Sequence, residues 1–139
     1  MNVHPVLQAI VLADYVYFDA PTGKKVIAGT FNHLSASNFP SNLGVSKYVF
    51  LSMSGIHGEV ALELSLVDLK DGSKLMEIGD LEMESSDPLD TVEMVVELPS
   101  LPLPHPGVFS VEVSRGNEVL GSIRLIVSDQ KDMEMSDEE

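Results

Sequence analysis

Side chains that could do chemistry are few in this sequence and far apart. The chain has no cysteine and four histidines, His4, His33, His57 and His105. Nucleophilic catalysis needs a serine, threonine or cysteine beside a base that a third group holds, and the sequence lacks the Gly-x-Ser-x-Gly elbow that presents a serine. The histidines also lack the close spacing that places two metal ligands side by side. We therefore expect no enzyme, no metal and no other cofactor.

Acidic loop residues leave one alternative open. If successive strands alternate in direction, one end of the domain collects a first group of loop residues: Asp19, His57, Asp87 and Asp90. Asp68 and Asp71 then lie at the other end, together with the proline-rich residues 99–107. Calcium is bound by oxygen ligands that converge from several loops, but neither group contains the Asp-x-Asp spacing that supplies two ligands from one loop. Binding of a small ligand or of calcium at one end of the domain is the alternative function that the sequence leaves open.

The charge of the chain excludes several classes of partner. It has 22 acidic and 8 basic residues and a formal net charge of −14. Such a field repels phosphate backbones and anionic lipid surfaces, so we expect neither nucleic-acid binding nor membrane binding. The N-terminus has no basic run ahead of an apolar stretch, which argues against a secretory signal. We expect a cytoplasmic protein.

Apolar residues alternate with polar ones nearly everywhere, which is typical of half-buried strands. The pattern predicts about eight strands, separated by turn residues at intervals of roughly ten residues. The first six run at about 6–18, 24–34, 45–54, 59–69, 74–83 and 91–98, and the last two form a hairpin around residues 115–117. The proline-rich residues 99–107 are expected to cross between sheets, because proline cannot donate to a ladder. Strand five carries charge on both faces, which predicts a sheet edge.

This pattern predicts an all-β fold, a β-sandwich of two sheets that each bury one face. An immunoglobulin-like arrangement is our first choice, and a C2-like or jelly-roll topology stays open. We expect one domain over residues 1–127. Residues 128–139 are expected to be a disordered acidic tail, because six acids stand between Asp129 and Glu139 with no apolar period.

Three segments resemble a family of small, uncharacterised bacterial β-sandwich proteins. They are residues 13–16 with 22–31 (ADYV and TGKKVIAGTF), Phe39-Pro40, and residues 106–113 (PGVFSVEV). The resemblance covers most of residues 6–127. It implies a bacterial source and a sandwich fold, and it brings no catalytic or binding residues.

Strands one and three are apolar on both faces, whereas a two-layer sandwich buries only one face of each strand. If Val49 and Leu51 face the core, Tyr48 and Phe50 must face outward. We expect these two aromatics to form an outer patch with Ile10 and Leu12. A loop, residues 35–44 with Phe39, or another chain must cover the patch, since large exposed apolar patches are rare on monomers. The sequence therefore predicts a non-catalytic module that self-associates or docks on a larger assembly, in the simplest case as a two-fold dimer.

Overall fold

The computed structural model describes residues 4–43 and 46–131, and the side chain of residue 43 is outside that description. Eleven strands form in this part of the chain. They are β1 (Val6–Asp19), β2 (Lys24–Thr30), β3 (His33–Ala36), β4 (Ser41–Leu43), β5 (Lys47–Ser54), β6 (Gly58–Asp68), β7 (Ser73–Ser85), β8 (Val92–Leu98), β9 (Leu101–Leu103), β10 (Gly107–Arg115) and β11 (Glu118–Asp129). No helix among the described residues has the length and apolar character needed to cross a bilayer.

Two sheets carry the fold. One has the order β2-β1-β5-β8 and the other the order β3-β11-β10-β6-β7, while β4 and β9 form a small third ladder. In immunoglobulin domains the first, second and fifth strands (A, B and E) share one sheet, and the third, sixth and seventh (C, F and G) share the other, with C′ added beside C in variable domains. Here β1-β5-β8 follow the order A-B-E, and β11-β10-β6-β7 follow G-F-C-C′. The strand order therefore confirms the immunoglobulin-like sandwich and excludes the two other topologies.

Three short strands were not predicted and account for the difference from eight. Strand β3 runs parallel to the end of β11. Strands β4 and β9 pair with each other, with Asn42 opposite Pro102, so the proline-rich segment contributes a strand as well as a crossing. A proline at an outer position of a two-stranded ladder leaves no hydrogen bond unmade. Leu101 and Leu103, on either side of it, are buried in the core.

The core lies between the two sheets and is built from alternate residues of each strand. Strand β6 contributes Leu62, Leu64 and Leu66, which are fully buried. Strand β5 faces them with Val49, Leu51 and Met53, and β10 adds Phe109, Val111 and Val113. These side chains are the period-two residues of their strands, so the burial of one face explains the alternation in the sequence.

Strand β7 lies at the edge of the second sheet and pairs only with β6, which confirms the prediction for strand five. Its charged residues, Glu77, Asp80, Glu82 and Glu84, discourage pairing with a further strand. Strand β11 continues to Asp129, beyond the predicted domain end at 127, because residues 126–129 pair with β3. Of the predicted acidic tail, residues 132–139 lie outside the described residues.

Leu64 tests the register of β6. Leu64→Ala removes a fully buried side chain and should lower the free energy of unfolding by about 2–5 kcal/mol, the usual cost of such a cavity. Leu89→Ala is the control, since Leu89 is 89% exposed, and it should cost under about 0.5 kcal/mol. Chemical denaturation of both variants measures the difference, and equal small losses would contradict this register.

Candidate functional site

The pairing of β1 with β5 decides which aromatic side chains face outward. Val49 and Leu51 belong to the core, so Tyr48 and Phe50 lie on the outer face of the first sheet, as predicted. Phe50 pairs with Val11, and Tyr48 pairs with Ala13. Directly opposed residues share a face of the sheet. The neighbours of the two aromatics on β1 are therefore Val11 and Ala13.

The prediction that Ile10 and Leu12 join this outer patch is wrong. Leu12 pairs with Val49 and is fully buried in the core, and Ile10 pairs with Leu51 and packs against the core. Both faces of β1 are apolar, so its own alternation does not say which face is inside. The ladder with β5 fixes the choice, and it includes an irregularity between Leu7 and Ala9.

Phe50 is only 7% exposed although it lies on the outer face. Loop residue Phe39, the predicted cover, packs against the core instead. The segment that reaches the outer face is a two-stranded ribbon formed by the second half of β1 with β2, in which Ala13 pairs with Thr30 and Asp19 with Lys24. We call residues 13–30 the ribbon.

An ion pair shows where the end of the ribbon lies. Lys25 Nζ is 3.0 Å from Glu93 Oε1. Glu93 is on β8, where it alternates with Val92 and Met94, which pack against the core, so its side chain is on the outer face. Strands β2 and β8 are the two opposite edges of the sheet. The sheet must therefore coil enough to bring the end of the ribbon across its own outer face to β8.

The turn of the ribbon and its base have local causes. Gly23 has φ +70°, a conformation that glycine adopts without strain, and its N–H donates to the Asp19 carbonyl. At the base, Lys47 forms an ion pair with Asp14, and its ammonium lies 5.1 Å from the centre of the Phe31 ring. Partly exposed ion pairs of this kind contribute at most about 1 kcal/mol each. They orient the ribbon, and burial of apolar surface beneath it provides the larger stabilisation.

Three aromatic side chains of the ribbon remain exposed to solvent: Tyr15 by 60%, Tyr17 by 52% and Phe18 by 63%. Tyr15 and Tyr17 share one face, because they pair with Ala28 and Val26, and Phe18 lies on the other face opposite Lys25. Sequence reasoning missed these residues as a surface. The available signal was the length of the first strand. It is longer than β5, its neighbour in the sheet, so its second half must extend beyond that neighbour.

At the other candidate site, a buried carboxylate holds a histidine. Asp68, at the end of β6, has a side chain that is 5% exposed, and its Oδ2 is 2.6 Å from His105 Nε2. The Lys70 amide N–H donates to the other carboxylate oxygen at 3.0 Å. His105 Nδ1 is 2.6 Å from the Pro106 carbonyl oxygen. The contact confirms that the Asp68 turn and the proline-rich segment share one end of the domain.

Both ring nitrogens of His105 therefore face acceptors, and satisfying both requires a hydrogen on each nitrogen. The resulting imidazolium is stabilised by the Pro106 carbonyl and by the Asp68 carboxylate, which together raise the pKa of His105 above its ordinary value. The ring also lies 5.4 Å from that of Phe109 in the core. This arrangement fastens the proline-rich segment to the sandwich.

A surface depression of about 530 Å³ lies beside this pair, lined by Leu69, Lys70, His105, Pro106, Gly107 and Val108. None of these six residues is a serine, threonine or cysteine, so this lining offers no hydroxyl or thiol for His105 to activate.

The structure separates members of the first group of loop residues. The Gly55 N–H donates to the Pro88 carbonyl at 2.8 Å, which brings the loops of His57 and Asp87 together at one end. Asp19, in contrast, lies at the turn of the ribbon. Within residues 4–43 and 46–131, no three histidine, aspartate or glutamate side chains converge as metal ligands.

His105 should make stability depend on pH. Because its pKa is raised on folding, its contribution is fully present below the unfolded value of about 6.5 and is lost as the pH rises through the folded value. The difference in melting temperature between wild type and His105→Gln should therefore be larger at about pH 6 than at about pH 8.5. Calorimetry of both proteins across this range measures it. A difference that grows with pH would contradict the assigned hydrogen bonds.

Comparison with known proteins adds a family and two structural similarities. An immunoglobulin-like protein (PA1606) from Pseudomonas aeruginosa is 15% identical, with a TM-score of 0.48 over 90% of this chain and 97% of that one. A β-glucosidase from Listeria innocua is 12% identical, with a TM-score of 0.48 over 91% of this chain but only 16% of the glucosidase. No curated protein is a significant match. The profile of a family of unknown function, DUF6941, matches residues 8–128, and the chain belongs to that family.

Proposed function

We propose that the chain is a non-catalytic protein-interaction module and that the end of the ribbon is its contact surface. The observation that carries the proposal is the exposure of Tyr15, Tyr17 and Phe18 on one two-stranded element. Aromatic residues are enriched at interfaces because they offer large, rigid contact area at a low cost in side-chain entropy. We expect the module to act in the cytoplasm, on protein and not on nucleic acid or membrane.

The exposed aromatic area sets the scale of the contact. A tyrosine or phenylalanine buries about 150–250 Å² when fully covered. With a little over half of each surface still free, the three together leave roughly 300 Å², worth about 7 kcal/mol at ~25 cal/mol per Å². Association costs about 4–15 kcal/mol. These three side chains alone would give a weak complex, so a partner must also contact neighbouring groups of the ribbon.

The hydrogen bonds of His105 support a non-catalytic function for the chain. A general base needs a free lone pair on the histidine, and both ring nitrogens already face acceptors within the protein. The depression beside the ring offers no hydroxyl or thiol that could act as a nucleophile. The two hydrogen bonds that His105 makes give it a structural role.

Photo-crosslinking tests the proposed surface directly. A benzophenone-bearing phenylalanine that replaces Tyr17 keeps an aromatic ring at the exposed position. On irradiation in the source cells it should give one adduct of defined mass, which mass spectrometry then identifies as either a second copy or another protein.

Val119 is the matched control position, because it is apolar, 54% exposed and located in the β10–β11 hairpin away from the ribbon. The same label there should give no discrete adduct. Adding Tyr15→Ser and Phe18→Ser to the chain labelled at position 17 should reduce the adduct while circular dichroism shows that the chain stays folded, since both side chains are more than half exposed. Equal labelling from positions 17 and 119, or none from either, would contradict the proposal.

A further inference from the structure

The two main sheets have four edge strands, β2, β8, β3 and β7, and three of them are protected. Strand β7 carries charges along its length, β8 presents Glu93 and Glu97, and β3 has only four residues. Such features discourage a further strand from pairing. Strand β2 has its two charges, Lys24 and Lys25, together at one end, so its remaining five residues are uncharged and contain no proline, whereas the two glutamates of β8 are spread along that strand.

From this contrast we infer that the partner is a second copy of this chain, bound by antiparallel pairing of the two β2 edges. The inference rests on the proposed function and names the partner of the same surface. Pairing of two edges satisfies backbone N–H and C=O groups on both copies, which supplies the contact that the aromatic side chains alone lack.

The sequence of β2 is self-complementary in one register. With a two-fold axis at Ile27, that residue faces its own copy, and Val26 faces the second copy's Ala28. Lys25 then faces a glycine and Lys24 a threonine, so no like charges are opposed. Moving the axis to Val26 would place the two lysines against Ile27 and Ala28. The register centred on Ile27 therefore pairs all seven residues of β2 and avoids burying a charge against apolar side chains.

The same register brings the exposed tyrosines of both copies onto one face. Because Tyr17 pairs with Val26 and Tyr15 pairs with Ala28, each row across the joined ribbons starts with one tyrosine and ends with another. The row contains Tyr17, Val26, and then the second copy's Ala28 and Tyr15. The small residues in the middle allow the large rings at both ends to lean over the junction.

Charge also favours this surface over the rest of the molecule. The chain carries −14 in total, which opposes contact between two copies. Within the ribbon, Asp14 and Asp19 are balanced by Lys24 and Lys25, so its net charge is zero. A dimer joined by the ribbons brings together neutral segments.

Cysteine trapping tests the register, because the natural chain has no cysteine. Residues directly opposite in antiparallel strands have Cα atoms about 4.5–5.5 Å apart, within the range of a disulfide. Ile27→Cys should therefore form a disulfide-linked dimer rapidly under mild oxidation. Val26→Cys and the distant Val119→Cys are the controls, and each should react at least about tenfold more slowly, since neither faces its own copy. A mixture of Val26→Cys with Ala28→Cys should give the mixed dimer.

Sedimentation of the unlinked proteins completes the test. Wild type should dimerise with rising concentration, and Ile27→Lys should weaken the dimer at least about tenfold, because it opposes two like charges at the axis. Val119→Lys should have no effect. If Ile27→Lys fails to fold, the cysteine variants alone decide.

The failures of the two proposals are distinguishable. Equal trapping of Ile27→Cys, Val26→Cys and Val119→Cys, or a wild type that stays monomeric at millimolar concentration, overturns the second-copy inference. If the label at position 17 then captures a different protein, the proposed function stands. If it captures nothing, the proposed function fails as well.

Discussion

The register between β1 and β5 determines what this protein buries and what it presents. Pairing Leu12 with Val49 places both in the core, and the same ladder turns Phe50 and Tyr48 outward. A shift of one residue would exchange the two faces of β1 completely. The inner face can be held in place because the opposite sheet, through residues such as Leu64, packs against it. The position of every outer residue follows from that packing.

The ribbon exists because β1 is longer than β5, its neighbour in the sheet. Its 14 residues pair with β5 as far as Ala13 and continue beside β2 alone. A two-stranded hairpin is only marginally stable by itself, so the ribbon depends on its packing over the outer face, and the Lys25–Glu93 ion pair orients its end on β8. That contact covers part of the outer face and leaves the aromatic side chains of the ribbon exposed. The proposed pairing of two β2 edges would bring the tyrosines of both copies onto one face.

Much of the fold was predictable because long period-two runs leave few alternatives. The edge position of β7 was visible from charges on both faces, since no buried strand tolerates them. Strand β9 was not predictable, because three residues that include Pro102 have no recognisable period. Ile10 and Leu12 were misplaced for another reason: both faces of β1 are apolar, and only a distant strand selects between them. For His105 and Asp68, the sequence predicted only that the Asp68 turn and the proline-rich segment lie at the same end of the domain. The hydrogen bond between them was not predictable, because it depends on the exact path of both loops.

The edge of β2 is the proposed contact surface, and amide hydrogen exchange measures that edge most directly. In dilute solution the outward amides of residues 25–30 have no strand partner in the described part of the chain and should exchange rapidly. Raising the protein concentration should protect these amides. Those of the charged edge strand β7 should exchange at the same rate throughout. Exchange in β2 that is independent of concentration, both alone and in extract of the source cells, would contradict the account.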